Sequence, residues 1–375
     1  MKILKFALRG TALAVSLALL VTMLGAFLGV TGSESTGPAG AVTANISDRF
    51  SDYVNNANAA ALDGIVPIKK VYRLDRANPI APEPDQSLFG ETDDPAAVEA
   101  LLAEAAELLE GQEMQWNTDR ELMPGSKLQY YYDETILVLT WKEVVNRAVY
   151  TFSEVKIADP SQLRRYLADN TFGSDIQYST SDMAATVNAV VAMNGDFYKF
   201  RSLGMVVYES EVRRVAGNNI DSCCIDANGD MHFVHMGEIM DKESAEAYVA
   251  ENDILFSVAF GPIMVENGVN VCPRGEYVFG EITDIYARAA ICQTDPLHYL
   301  LVTVNHEGPY SNCATVMELA AELERRGVDM AYTLDGGQTA TIVMNDEVIN
   351  SVEFGSQRNI SDIIYFATAL PDRGD

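Results

Sequence analysis

Histidine is scarce in this 375-residue chain: there are four copies, and none pairs with cysteines at a metal-site spacing. HExxH and GxSxG are both missing, which leaves zinc proteolysis and the commonest serine-hydrolase turn without support. The five cysteines, Cys223, Cys224, Cys272, Cys292 and Cys313, form no CxxC, and an odd number closes no complete disulfide framework. Cys223 and Cys224 are adjacent, a poor geometry for bridging each other. The set reads as small buried apolar residues, with a single bridge open only in an oxidising compartment. Bases are also few: 26 Lys and Arg stand against 54 Asp and Glu, a net charge of −28. Such a surface repels phosphate backbones and argues against nucleic acid as a partner. Any bound phosphate needs a local cationic or amide-lined pocket. No internal repeat is visible. What is present, 48% hydrophobic and 21% charged residues, suits a globular protein with a sizeable core.

Lys2, Lys5 and Arg9 precede an uncharged run from Gly10 to Ser33, 24 residues long. As a helix this spans about 36 Å, enough for a hydrocarbon core of about 30 Å. Flanking bases on that side favour a cytoplasmic amino terminus. Residues 1–33 are therefore expected to be an uncleaved transmembrane anchor or, alternatively, a signal sequence cleaved near Leu24-Gly25-Ala26. Either places the rest of the chain outside the cytoplasm, on the membrane or secreted.

Residues 34–127 read as a linker and acidic accessory segment. Twelve acids and one base lie between Glu83 and Glu121, and their default reading is a solvated face. Within it, Asp94 can cap and Pro95 can open a helix to about Glu110, ended by Gly111. From Leu128 the pattern turns β-rich. Strands are expected at 136–141, 148–157, 189–193, 204–208, 222–226, 232–235, 254–260, 289–292, 299–305, 330–334, 341–344 and 362–367. Asp159-Pro160 is expected to start a helix through Leu167, and a second helix covers about 314–326. Strands outnumber helices and alternate with them irregularly, so the fold class is α+β: a mixed, β-rich domain over 128–375.

Four segments can carry chemistry. Asn194-Gly195-Asp196 follows an apolar strand and can push Asn194 and Asp196 out at its end, although an ordinary hairpin turn has the same pattern. Gly261-Pro262 precedes an Asn267-Gly268 hairpin signal and can bring backbone near a ligand. Arg288 begins an apolar strand, and a guanidinium fork in so acidic a chain suits a phosphate or carboxylate. His306 and Glu307 follow the next apolar strand, where His306 can transfer protons or sit in a plain surface loop. Asp335 is delivered by a strand into Gly336-Gly337, whose amides can approach an anion. Asp335 can serve as acid, base, hydroxyl acceptor or metal ligand. No cofactor is required, with calcium at the acidic turns the one metal to weigh.

Taken in order, these pieces resemble the phosphodiester glycosidase family over roughly residues 128–370. The matching pieces are Asn194-Gly195-Asp196-Phe197-Tyr198, Gly261-Pro262, Arg288-Ala289-Ala290-Ile291, Leu334-Asp335-Gly336-Gly337 and Arg358-Asn359-Ile360-Ser361-Asp362. The resemblance implies hydrolysis of a sugar-1-phosphodiester, of the N-acetylglucosamine-1-phosphodiester type, in an extracytoplasmic glycoconjugate or envelope glycopolymer. It implies Asp196 and Asp335 as catalytic candidates, beside Glu307 and His306, which are candidates by their place after an apolar strand. Asn194, Gly195, Gly261, Arg288, Gly336, Gly337, Thr339 and Arg358 are the implied substrate contacts. Two departures stand out: Gln338-Thr339 where the family usually has Gly-Ser, and Asn305-His306-Glu307 where it usually has Asp-Gly-Arg. They keep open a second role, a glycopolymer-binding or exopolysaccharide-assembly protein using the same pocket without turnover.

Overall fold

The structure, a computed structural model, describes residues 72–116, 120–196, 198–216, 220–275, 277 and 281–371. They belong to one compact unit, Val71–Asp375. The expected anchor and linker lie outside the described residues. Among the described residues no helix is long and apolar enough to cross a membrane.

A nine-stranded antiparallel sheet forms the centre. In spatial order it runs Phe89–Thr92, Leu128–Asp133, Ile136–Val145, Ala148–Ile157, His298–Asn305, Arg288–Asp295, Met330–Leu334, Ile263–Glu266 and Val269–Asn270. Its middle strands are apolar at nearly every position because both faces are covered. Along Ile136–Val145, Ile136 and Val138 face one core while Leu137, Leu139 and Trp141 face the other. Arg288–Asp295 alternates in the same way, with Ala289 and Ile291 on one side and Ala290 and Cys292 on the other. Helices Pro95–Glu104, Ala106–Leu109 and Val316–Arg325 bury Val98, Leu108, Leu319 and Leu323 on the second face. Against the first face pack a five-stranded sheet and a three-stranded one. The five-stranded order is Glu347–Val348, Ile342–Met344, Val191–Asn194, Asp362–Phe366 and Leu163–Leu167; the other is Met231–Val234, Ser222–Asp226 and Ile254–Val258. A hairpin of Gly204–Tyr208 and Glu211–Ala216 stands alongside. Helices Thr180–Thr186 and Lys242–Glu251, not read from the sequence, cover the outer sides. The fold is thus α+β: mixed and β-rich, with few helices.

Two segments behave differently from their sequence reading. The accessory segment is built into this body: Phe89–Thr92 is an edge strand, and the helix from Pro95 buries its apolar stripe in the core. That helix breaks at Ala105, and Glu110 takes the left-handed conformation before Gly111. The buried Glu154 carboxylate accepts the Gln115 and Trp116 amides and pairs with His298, which docks the end of the segment. The expected helix 160–167 is replaced by a single turn, Pro160–Gln162, followed by the strand Leu163–Leu167. Asp159 does cap, in a full capping box with Gln162, but pairing with Asp362–Phe366 outweighs helix propagation after one turn. All five cysteines are free thiols.

Candidate active site

Strand ends from two sheets meet at the site. Asn194 ends Val191–Asn194, Leu334 ends Met330–Leu334, Arg288 opens Arg288–Asp295 and Asp362 opens Asp362–Phe366. Asn194 ties the first two together. Its side-chain amide donates to Asp335 O at 2.8 Å, and its oxygen accepts Thr341 N–H at 3.1 Å. Gly195 follows because nothing larger fits: a Cβ there would lie 2.0 Å from the Asp362 carboxylate. Gly336 is confined likewise, with a Cβ falling 2.4 Å from Ala287 O.

Beneath this junction lies a buried charge cluster. The Arg165 guanidinium meets Asp362 Oδ2 at 2.7 Å and Asp196 Oδ1 at 3.2 Å, and no part of these side chains reaches solvent. Arg165 also donates to Ser257 O. Asp196 accepts Tyr198 N–H and Ala259 N–H, each at 2.7 Å. Burial works against the Arg165 charge, yet Asp362 and then Asp196 outweigh it and hold the guanidinium above its ordinary value. Burial pushes Asp362 up to about 7, with Arg165 opposing and Asp196 reinforcing the rise. Two carboxylates facing one guanidinium leave one negative charge over. Asp196, a catalytic candidate in the sequence, is here the pillar of a structural cluster.

Asp335 is the contrasting acid. It sits just past the strand end, above the turn Gly337–Thr339, and its Oδ2 is buried without a hydrogen-bond partner. Burial raises its carboxyl to about 6. The Thr339 hydroxyl, then Arg358 and Arg201, pull it back, and Asp196 adds to the rise. Arg201 lies over the Phe260 ring at 4.4 Å and Arg358 over Phe200 at 5.3 Å. The charges of both guanidinium groups thus act on this half-buried acid. Arg201 escaped the sequence reading, although it follows the Asn194–Tyr198 motif by three residues.

The remaining candidates fall around this centre. Arg288 abuts Gly336, but its Nε donates to Ala314 O at 3.0 Å and its Nη2 to Asp284 O at 2.5 Å. The Gly337 amide is likewise spent on Ala287 O at 2.8 Å. The Gly337 amide and two of the five Arg288 donors are thus engaged by the protein's own backbone. The Thr339 hydroxyl donates to Gly336 O at 2.6 Å and braces the turn. Gly261 makes a close backbone approach, where a Cβ would meet the Tyr277 hydroxyl at 2.3 Å. His306 is exposed, with its Nδ1 3.9 Å from Cys313 Sγ. Glu307 is held by Lys142 at 2.8 Å, in a separate concavity of about 220 Å³ lined also by Trp141 and Ile349. No contact brings it to Asp335. Among the described residues no group of three or more His, Cys, Asp or Glu side chains is placed to hold a metal ion.

Residues 187–367 match the phosphodiester glycosidase family. No curated protein gives a significant match. Among solved structures, the chain is similar to a hypothetical protein from Synechocystis at TM-score 0.51 and 14% identity, covering 64% of this chain and 64% of that one. It is also similar to the catalytic domain of zebrafish N-acetylglucosamine-1-phosphodiester alpha-N-acetylglucosaminidase, auto-inhibited by its pro-peptide. That match has TM-score 0.49 and 16% identity, over 62% of this chain and 83% of that one. An exported protein from Burkholderia pseudomallei matches at TM-score 0.41 and 12% identity, over 75% and 91%. The Synechocystis likeness is one of fold. The family match spans Asn194, Asp196, Asp335 and Asp362 together, and over residues 187–367 this chain is similar to the phosphodiester glycosidase family.

Proposed function

We propose that the chain hydrolyses the bond between a sugar's anomeric carbon and a phosphodiester oxygen, with Asp335 as the working carboxylate. The observation that carries this reading is a half-buried carboxyl just past a strand end, with its Oδ2 unpartnered, raised to about 6 and opposed in that rise by the charges of Arg358 and Arg201, in a protein of net charge −28. Above pH 6 the Asp335 carboxylate takes a proton from water as the water oxygen attacks C1. The C1–O bond breaks and its electron pair leaves on the phosphate. The products are a free sugar and a phosphomonoester, and the proton passes from Asp335 to solvent. Phosphate is a good leaving group and needs little protonation, so one general base suffices where ordinary glycosides need an acid as well. Arg201 and Arg358 offset the charge that grows on the departing phosphate. Asn194 fixes Asp335 through its main-chain carbonyl. In the same reading the domain works outside the cytoplasm on an envelope glycopolymer or glycoconjugate, an inference from Lys2, Lys5 and Arg9 ahead of the uncharged run.

The experiment is incubation of the purified chain with UDP-N-acetylglucosamine and with a synthetic sugar-1-phosphodiester, followed by assay of free sugar. Asp335→Asn is expected to lower kcat/KM by about 10³-fold or more. Arg358→Ala is expected to raise KM by roughly tenfold. Ligand retained by the wild type without release of sugar would replace the enzyme with a binding protein.

A further inference from the structure

Arg165 and Arg326, both fully enclosed, each find two carboxylates. Arg165 faces Asp362 and Asp196, and Arg326 meets Glu143 at 2.5 Å and Glu322 at 2.7 Å. With 54 acids against 26 bases, carboxylates are not in short supply. Two neighbouring arginines nevertheless go without. Arg164, in the strand Leu163–Leu167, is 8% exposed. Its Nη2 donates to the carbonyls of Asp75, Arg76 and Asn78 at 2.9, 3.2 and 2.7 Å, while its Nη1 is buried with no hydrogen-bond partner. Arg76 is half-buried and donates from Nη2 to Ala227 O at 2.8 Å. Among the described residues neither forms an ion pair.

The acids that act on Arg76 are engaged elsewhere. Asp159 pairs with Arg73 at 3.6 Å, and Asp226 pairs with His232 at 3.1 Å while accepting the Asn228 and Asp230 amides. Burial and then Arg73 pull the Arg76 guanidinium below its ordinary value; Asp159 opposes, Arg164 adds to the fall, and Asp226 opposes last. Enclosed charge that the fold leaves unpaired is costly, and carbonyl oxygens offset only part of it.

Both arginines border one concavity of about 430 Å³, a size that suits a small molecule. Leu163, Leu255 and Phe256 give it an apolar wall. Arg165 borders it too, with its charge already taken by Asp362 and Asp196. The one acid among the described lining residues, Glu209, is exposed and pairs with Arg213 at 3.7 Å. None of the candidates around Asp335 lines it. The segment that carries Arg76 is fixed in place, because Arg164 holds its carbonyls and Leu74 N–H donates to Ser161 Oγ at 2.9 Å.

We infer that this concavity binds a small organic oxyanion, its carboxylate or phosphate head held by Arg76 and Arg164 and its apolar body laid against Leu163, Leu255 and Phe256. The ligand supplies the negative charge that the fold omits. Guanidinium groups suit either head, since they are weakly hydrated and present forked donors.

The test is calorimetric titration of the full chain with phenyl phosphate, benzoate and the uncharged benzamide. Both anions are expected to bind, and benzamide about tenfold or more weakly. Arg76→Gln, which keeps a donor for Ala227 O, is expected to lose about tenfold in affinity for the anions, and Arg76→Lys to recover part of it. Its urea midpoint without ligand should not fall, because an unpaired charge has been removed. Arg358→Ala, beside Asp335, should leave this site unchanged; if two sites titrate, Arg76→Gln removes one and Arg358→Ala the other. The preference between phenyl phosphate and benzoate then names the head. No binding of either anion up to on the order of 10 mM, equal binding of benzamide, or wild-type affinity in Arg76→Gln overturns the site. So does loss in Arg358→Ala with full retention in Arg76→Gln, which would put the probes at Asp335. A lowered midpoint with lost binding that Arg76→Lys does not recover would make Arg76 a structural brace and overturn it as well.

Discussion

Asp196 and Asp335 follow strands of similar character, yet they occupy opposite electrostatic situations. Asp196 is buried with its oxygens filled by Arg165 and two backbone amides. Asp335 is half-buried, with its enclosed Oδ2 left without a partner. Burial alone therefore does not mark a working acid. What separates the two is whether the protein has already satisfied the charge. A carboxylate whose partners are all internal has nothing to offer a substrate, whereas an unsatisfied one destabilises the fold and is available to a ligand or proton.

The largest expected effect sharpens this contrast through stability. Asp196→Asn leaves Arg165 paired with Asp362 but takes the acceptor from one of two buried backbone amides, and should cost about 1–3 kcal/mol, read as a lowered urea midpoint. Asp335→Asn should act in the opposite direction at pH 8. The folded Asp335 value, about 6, lies above the ordinary 3.8, so its ionisation penalises the native state as pH rises through about 6. Removing that penalty should stabilise by on the order of 2 kcal/mol at pH 8 and by little at pH 4. Midpoints that move the same way for both variants at pH 8 would erase the distinction.

The next effect in size is kinetic. With Asp335 as base, kcat/KM on a sugar-1-phosphodiester should rise about tenfold per pH unit below 6 and level off above it. A rate that falls with pH through the same range would make Asp335 the acid instead. The smallest effect concerns Glu307, which resembles the two aspartates only in sequence. Its pairing with Lys142 is partly solvated, and such pairs contribute about 0–1 kcal/mol. Glu307→Gln should leave both stability and turnover within about twofold; a hundredfold loss would return it to the reaction centre.

The strands were largely legible because both faces of the central sheet are covered, so its strands appear as apolar runs that helices of that length would not bury. Turns were legible where glycine or asparagine took positive φ. Asn267-Gly268, with φ of 52° and 73°, is the two-residue hairpin its sequence suggests. Arg165 was not legible. A fully buried arginine looks like a surface residue in a linear pattern, and Asp159-Pro160 is as good a start for one turn as for a long helix. Arg288 was legible as the opening of a strand, but the carbonyls of Asp284 and Ala314 that take two of its donors are a matter of loop path. Arg201 shows the same limit: nothing local says that a loop folds back over Phe260 toward Asp335.

The strand Asp362–Phe366 lies between Leu163–Leu167 and Val191–Asn194, so the sheet stays split until that late segment is inserted. A nascent chain synthesised as far as Arg358 would hold a bare arginine where Asp362 belongs and an unsupported Gly195 turn. The junction of Asn194, Asp196 and Asp362 is therefore complete only after nearly all of the domain has emerged.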